Sequence, residues 1–445
     1  MASSEASATK VRNRRDFLGT AALGGMALTA ATASTAQDRT AQDGATQGRL
    51  AQGATRAQAR GDSSALLGAG LKIVRVQAFP LTYPGVFAHG GVRKPNQEPG
   101  TYFEVETANG LIGHGITAIS DPRAVANLTN QLVAPAVVGE NAMDHEAIWS
   151  KLYWRLTPRG QTGLATHAIS GVDIALWDLK GKALGVPIAS LLGGARKEVP
   201  LYVTFGPSFL NRDELVDVAK AMIAQGFTHL KMVVGQAALE KRDSRPLGVV
   251  IEEDAVRVRA VREAVGPDVS LYIDGNCNFD FPSAERLVRL LEPYRISFFE
   301  EPLMQNDVRL MADLRRRTGV TLAAGQNEGM AFRFRDMLVH EAVDYVQPNV
   351  MITGGFTQTV KIAGMASAFN VAIANGGAGA LQNMHLHAGL WNGGFCEWHL
   401  PFMGLCRHIY RDMPQPKNGK IAIPEAPGLG FEPNRDAIRD VTMKS

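Results

Sequence analysis

Phe298-Phe299-Glu300-Glu301-Pro302 decides the fold, because Ile273-Asp274-Gly275-Asn276 stands about 26 residues before it and Ala324-Gly325-Gln326-Asn327-Glu328 about 26 after it. Each stretch is a short apolar run that ends in polar residues. Strand and helix alternating around a barrel use roughly that length per unit, and the C-terminal strand ends converge where such barrels keep their chemistry. Asp274 and Glu300 offer hard oxygens of the kind that suit Mg²⁺. The third position is Gln326, a neutral amide where a second Glu, the third carboxylate, would complete the set.

Working outward, eight short apolar runs at this spacing read as strands: Leu201 to Phe205, His229 to Val234, Leu271 to Asp274, Ser297 to Glu300, Thr321 to Ala324, Tyr345 to Gln347, Val371 to Ala374 and Phe395 to Trp398. They define a TIM-like (β/α)7β barrel over 196–400. Ahead of it, Leu71 to Pro80, Thr101 to Glu106 and Leu111 to Ile116 read as a small antiparallel sheet, and residues 121–193 carry helical periodicity. The pattern over 71–195 is an α+β N-terminal capping domain, with 401–445 expected to pack back on it. Tyr83 to Gly100, rich in Gly and Pro, reads as a mobile loop able to act as a lid, with His89 on it.

The N-terminus carries Asn13-Arg14-Arg15-Asp16-Phe17-Leu18 and then an uncharged Ala- and Gly-rich run to about Ala36. This has the form of a twin-arginine export signal over 1–36, too weakly apolar for a spanning helix. The expected destination is periplasmic or extracellular, with no stable membrane span after processing. Residues 37–70 have almost no large apolar groups and read as a disordered tether. With 45% hydrophobic and 20% charged residues and a net charge of +3, the rest is ordinary for a soluble domain and gives no sign of a nucleic-acid partner. Three cysteines, Cys277, Cys396 and Cys406, do not make a disulfide framework.

Four passages carry a resemblance: the run Ala168-Ile169-Ser170-Gly171-Val172-Asp173-Ile174-Ala175-Leu176-Trp177-Asp178-Leu179-Lys180-Gly181-Lys182, then Leu191-Leu192-Gly193-Gly194, Phe299-Glu300-Glu301-Pro302 and Ile352-Thr353-Gly354-Gly355. Over about residues 72–435 the chain resembles the enolase superfamily, in its mandelate racemase and muconate lactonizing branch, and especially the acid-sugar dehydratases. The resemblance implies a metal, Mg²⁺ or Mn²⁺, held by Asp274, Glu300 and Gln326, more weakly than by three carboxylates. It implies that a base removes the proton next to a substrate carboxylate and that the ion and cationic side chains stabilise the enolate. It also implies assembly into a homo-oligomer.

The acid and base positions of that pattern are substituted. The second strand keeps Lys231 and puts Val233 where the acid/base lysine belongs; sliding the alignment so that His229 and Lys231 are the pair leaves an insertion before Gly235. Asn349 and Asn375 stand for the Asp and His of the opposite face. The remaining catalytic candidates are Lys231, Glu397 and His399, with Asn276, Glu328, Asn349, Asn375 and His89 as substrate-binding candidates. Glu328 is also positioned to replace the missing carboxylate, and Cys277 is an alternative reacting group. Lys231 reads equally as an ion-pair partner of Asp274. Two functions follow: a metal-assisted lyase or isomerase acting on a sugar acid or hydroxy carboxylate, or a degenerate barrel that binds such a molecule or a neutral sugar.

Overall fold

The computed structural model describes residues 70–160, 162–235 and 245–444. The export signal and, apart from Gly70, the tether lie outside the described residues. Among the described residues no helix is long and apolar enough to cross a membrane.

Three antiparallel strands open the structure: β1 (Ile73–His89), β2 (Val92–Thr107) and β3 (Ile112–Thr117). The lid reading of Tyr83 to Gly100 is corrected here. These residues continue the β1/β2 ladder without a break from Thr82 opposite Pro99 to His89 opposite Val92. Gly90 and Gly91, with φ of 57° and 79°, close the hairpin in the left-handed turn that a two-residue connection requires. The Gly and Pro content hid a strand pair that rests on the barrel through Lys94, whose ammonium meets Glu214 at 2.6 Å and the Phe209 carbonyl at 2.9 Å.

Helix Leu164–Leu184, which holds the longest of the resembling passages, is buried along almost its whole length and ties the capping layer to the barrel. Ser170 Oγ accepts the Gly354 and Gly355 amides at 2.8 and 3.1 Å, and Asp173 accepts the Thr357 amide at 3.1 Å. Asp178 accepts the amides of His114 and Leu429 at 3.0 and 2.8 Å. The polar residues of this motif therefore splice capping helix, barrel and C-terminal segment together.

The barrel strands are β4 (Glu198–Gly206), β5 (His229–Val233), β6 (Ser270–Asp274), β7 (Phe298–Glu300), β8 (Leu322–Ala324), β9 (Tyr345–Val346), β10 (Ala372–Ile373) and β11 (Cys396–His399). They pair in parallel in the order β11-β4-β5-β6-β7-β8-β9-β10. A parallel bridge from Ala374 to Phe395 joins the two edges. One main helix follows each of the first seven strands, which gives the (β/α)7β barrel expected from the spacing.

Strand side chains alternate faces, and this sets the height of the site. Tyr202, Tyr272, Phe298 and Ala323 form a buried cluster of their own inside the barrel, with Tyr345 and Phe395 packed against it. Tyr272 and Phe298 stack with centroids 4.0 Å apart. Two residues further along their strands stand Thr204, Asp274, Glu300, Gln347 and Glu397, one polar group above each aromatic. The aromatic floor fills the lower barrel and lifts every charged side chain to the C-terminal mouth. Phe298→Ala should cost about 3–5 kcal/mol, read as a lower denaturant midpoint with an unchanged m-value.

Candidate active site

Register brings the decisive side chains into one row. Val233 lies opposite Asp274 across β5 and β6, and Asp274 lies opposite Glu300 across β6 and β7. Val233, and not Lys231, is therefore level with the strand-end carboxylates. Val233 stands at the rim, while His229 lies below Lys231 against Phe395, with ring centroids 4.6 Å apart. Asn276, Cys277 and Glu301, just past the strand ends, hold φ of 45°, 60° and 40°, left-handed values uncommon for side-chain-bearing residues. The chain turns away at once there, which leaves Asp274 and Glu300 directed inward.

Lys231 is the centre of the arrangement. Its ammonium is 2.7 Å from Glu300 Oε2, 3.1 Å from Asp274 Oδ2 and 3.1 Å from Glu397 Oε1, with only 1% of the side chain exposed. It also sits 5.3 Å above the Tyr202 ring. Burial works to neutralise it, but Asp274, Glu300 and Glu397 outweigh burial and hold its pKa well above the usual lysine value. All three ammonium hydrogens are engaged, so Lys231 is no proton acceptor at neutral pH.

Glu397 is fixed from several sides: the Thr204 hydroxyl donates to Oε1, the Ala378 amide donates to Oε2 at 2.8 Å, and Lys231 completes the shell. Burial alone would raise its pKa, but Lys231 and His399 prevail and lower it. Glu300 behaves differently. Burial and the nearby Asp274 push it well above the usual carboxylate range despite Lys231. One ammonium faces three carboxylates, and the site is short of positive charge.

His399 is half-buried at the end of β11 and lines the cavity at the barrel mouth. Burial lowers its pKa below the ordinary histidine value, against the opposing pull of Glu397, so the ring is neutral at pH 7. Its Nδ1 is buried without a hydrogen-bond partner. The cavity measures about 360 Å³ and is walled by Thr204, Val233, Asp274, Asn276, Gln326, Glu397 and His399, with Ile119 arriving from the capping domain. That volume lies in the range of about 300–1,000 Å³ usual for small-molecule sites.

Other candidates are placed elsewhere. Asn349 donates to the carbonyls of Gly376, Gly377 and Ala378 at 2.7–3.0 Å and accepts the Met351 amide at 2.9 Å. Asn375 donates to the Ala378 carbonyl at 3.1 Å and accepts the Glu397 amide at 3.0 Å. Both amides brace the loop after β10. Glu328 turns to Arg333 Nε at 2.8 Å and to Asn306 Nδ2 at 3.1 Å, in a neighbouring cavity. His89 lies edge-on to Phe87 at 4.9 Å, outside the cavity lining, with its pKa lowered to about 4 by burial and Arg407. Phe87 in turn meets Phe209 of the cavity wall at 5.5 Å. Cys277 donates to Glu301 Oε2 at 3.4 Å, and burial with Glu301 pushes the thiol far up, so it stays protonated.

Sequence reasoning passed over Glu301. Fully buried beside Glu300, it accepts from Asn306 Nδ2 at 2.9 Å, from the Asn327 amide at 3.2 Å and from Gln326 Nε2 at 3.3 Å. The signal was present as the second acid of a strand-end pair.

Whether these residues fit a divalent cation turns on the oxygens that Lys231 leaves free. Among the described residues no group of three His, Cys, Asp or Glu side chains is placed to hold a metal. The third position of the cup is instead the Gln326 amide. Glu300 Oε1 is nevertheless buried and without a partner. It lies on the Gln326 side: a Cβ added at Gly376 would meet Glu300 Oε1 at 2.5 Å and Gln326 Cβ at 3.0 Å. Asp274 keeps Oδ1 for the Asn276 amide at 2.9 Å and a long contact from Gln326. Two carboxylate oxygens and an amide able to present its carbonyl end fit a hard cation.

Residues 72–193 match the mandelate racemase / muconate lactonizing enzyme N-terminal domain, and residues 214–437 match the enolase C-terminal domain-like family. The chain belongs to the mandelate racemase/muconate lactonizing branch of the enolase superfamily. It is 32% identical over 349 residues to an arabinonate dehydratase of Saccharolobus solfataricus, covering 77% of this chain and 90% of that one. It is also 32% identical to a D-galactarolactone cycloisomerase of Agrobacterium fabrum, over 76% of this chain and 90% of the relative. Among solved structures, a racemase from Streptomyces coelicolor with bound magnesium superposes with TM-score 0.73 at 27% identity, over 83% of this chain and 100% of that one. An L-talarate dehydratase from Polaromonas complexed with Mg and L-glucarate gives 0.72 at 28% identity, over 84% and 98%.

Lys231→Met should lower stability at pH 7 by about 3–5 kcal/mol, because it strands three buried carboxylates. Glu397→Gln added to it should cost less than the sum of the two single changes, a coupling that a double-mutant cycle by chemical denaturation reads directly.

Proposed function

We propose that this chain is a sugar-acid lyase or isomerase whose proton-transfer group is His399. The observation that carries the proposal is a neutral, half-buried imidazole with an unpartnered Nδ1, on a cavity lined also by Asp274 and Glu397, two of the carboxylates that Lys231 holds. Relatives named as dehydratases and cycloisomerases of acid sugars support the substrate class.

The residues divide the work. Thr204, Asn276, Gln326 and Asn327 offer hydroxyl and amide groups along the cavity wall, suited to a polyhydroxy chain. His399 accepts the proton from the carbon next to the substrate carboxylate; the resulting imidazolium then protonates the hydroxyl that leaves the next carbon as water, and the enol product tautomerises to a 2-keto-3-deoxy acid. One group thus serves both proton transfers. Glu397, kept ionised, stabilises the imidazolium while it holds the proton. Lys231 stays charged and keeps Asp274, Glu300 and Glu397 in place. A magnesium ion held by Asp274, Glu300 and the Gln326 carbonyl would supply the positive charge that an enolate and a substrate carboxylate both need. We also infer export, on the strength of Asn13-Arg14-Arg15-Asp16-Phe17-Leu18.

A second reading, a barrel that binds a sugar acid without turning it over, is favoured by one observation: Val233, Asn349 and Asn375 carry no titratable group where the resembling pattern has its acids and bases. The two readings separate on product. With magnesium and a panel of aldonic and aldaric acids, semicarbazide detection should show a 2-keto product from at least one acid. Turnover should fall on an acid limb below pH 6.5, because His399 gains its proton there. His399→Asn should abolish product while leaving ligand binding measurable. Binding without product across the panel would favour the second reading.

A further inference from the structure

The Gln326 amide nitrogen lies in a cage that does not suit it. Four oxygens surround it: Asp274 Oδ2 at 3.2 Å, Asp274 Oδ1 at 3.4 Å, Asn276 Oδ1 at 3.3 Å and Glu301 Oε2 at 3.3 Å. An NH₂ group has two hydrogens for these four acceptors. Every distance exceeds the 2.7–3.2 Å of well-formed N–H···O bonds or sits at its edge. Two of the three side chains are carboxylates, fully or nearly buried, and the donor between them carries no charge. Several oxygens gathered about one point at such spacing is what a cation asks for, not an amide.

A second observation comes from the other side of the same side chain. Glu300 Oε1, fully buried and unpartnered, is directed toward Gln326 across the space that the absent side chain of Gly376 leaves open. Glu328, the carboxylate that sequence position offered as a substitute, is tied to Arg333 and faces another cavity. Glu301 is the acid that meets the end of Gln326.

We propose that Glu301 supplies the negative charge that Gln326 withholds, and that a divalent cation at this site is held by Asp274 and Glu301 together with the Gln326 and Asn276 carbonyl oxygens, with Glu300 Oε1 facing the same side chain from the Gly376 side. The proposal rests on the reading that the barrel mouth binds magnesium. Its structural support within the chain is the left-handed backbone at Glu301, with φ of 40°, which turns the side chain back toward the end of β8. Asn306 and the amides of Gly325 and Asn327 hold its Oε1 at 2.9–3.4 Å. On the cation side Oε2 has one short donor, Asn327 Nδ2 at 2.5 Å, and otherwise long contacts from Gln326 and Cys277. Rotation of the Gln326 amide would exchange its NH₂ for a fifth oxygen and release Oε2 at the same time.

The experiment is calorimetric titration of the full chain with Mg²⁺ and Mn²⁺, beside metal-dependent thermal melting, for wild type, Glu301→Gln and Asp274→Asn. Wild type should bind saturably, Asp274→Asn should lose binding, and Glu301→Gln, titrated below its own metal-free melting temperature so that it is folded, should weaken it by at least about tenfold. Adding Gln326→Glu to Glu301→Gln should restore the affinity. Equal affinity in wild type and Glu301→Gln, with Asp274→Asn dead, would overturn the role of Glu301 and leave the magnesium reading standing. No saturable binding by wild type at millimolar metal would overturn both. If Glu301→Gln does not fold, Glu301→Asp decides: the shortened acid should bind metal more weakly, and wild-type affinity would refute the proposal.

Discussion

One ammonium group inside the barrel organises the rest of the site. Lys231 reaches Asp274, Glu300 and Glu397 on three different strands at 2.7–3.1 Å, with 1% of its side chain exposed. Buried ion pairs of this kind add little stability over an apolar replacement, but removing one partner is costly because the others are left charged and dry. The cluster therefore fixes β5, β6, β7 and β11 against one another at the mouth of the barrel. It also leaves a surplus of acid. That surplus is visible in Glu300, whose pKa burial and Asp274 raise well above the ordinary value, and in its unpartnered Oε1.

Four substitutions shape how this barrel differs from the pattern it resembles, and three of them act in the same direction. By the resemblance, Val233 stands where that pattern has a titratable cation at the rim, and Asn349 and Asn375 where it has a titratable pair opposite. In the structure both asparagines have become braces for the 376–378 loop, which in turn presents the Ala378 amide to Glu397. On the proposed reading proton transfer falls to His399 on β11, within electrostatic reach of Glu397 and Lys231. The fourth substitution, Gln326, removes charge from the cup but places an amide between Asp274 and Glu301. The result is a site with one tunable proton carrier and a diffuse cage of oxygens.

Much of this was legible in the chain. Strand spacing and the polar residue two positions beyond each floor aromatic, as in Tyr272 to Asp274 or Phe298 to Glu300, follow from the strand period of two and the barrel's need to fill its interior. The convergence of Asp274, Glu300 and Gln326 followed from that spacing, that of Lys231 and Glu397 from the resemblance, and His399 from its place at the end of the last strand. Other features were not legible, because they depend on which of several partners a side chain reaches. Nothing local separates Glu328 from Glu301 as the acid near Gln326; the left-handed turn at Glu301 and the Arg333 partner of Glu328 decide it. The Tyr83 to Gly100 hairpin escaped notice because Pro95 and Pro99 weaken a strand signal that the Gly90-Gly91 turn and a long ladder restore. Asn349 and Asn375 looked free to meet hydroxyls, and loop carbonyls claimed them first.

The central claim is that His399 moves a substrate proton in this cavity, and proton exchange tests it without requiring a complete reaction. The chain, with magnesium, is incubated in heavy water with a panel of sugar acids, and loss of the proton next to the carboxylate is followed by NMR. The account predicts exchange into at least one acid, abolished by His399→Asn and retained in Cys277→Ser. Acids that bind in the cavity yet keep that proton indefinitely, or exchange that survives His399→Asn unchanged, would contradict it.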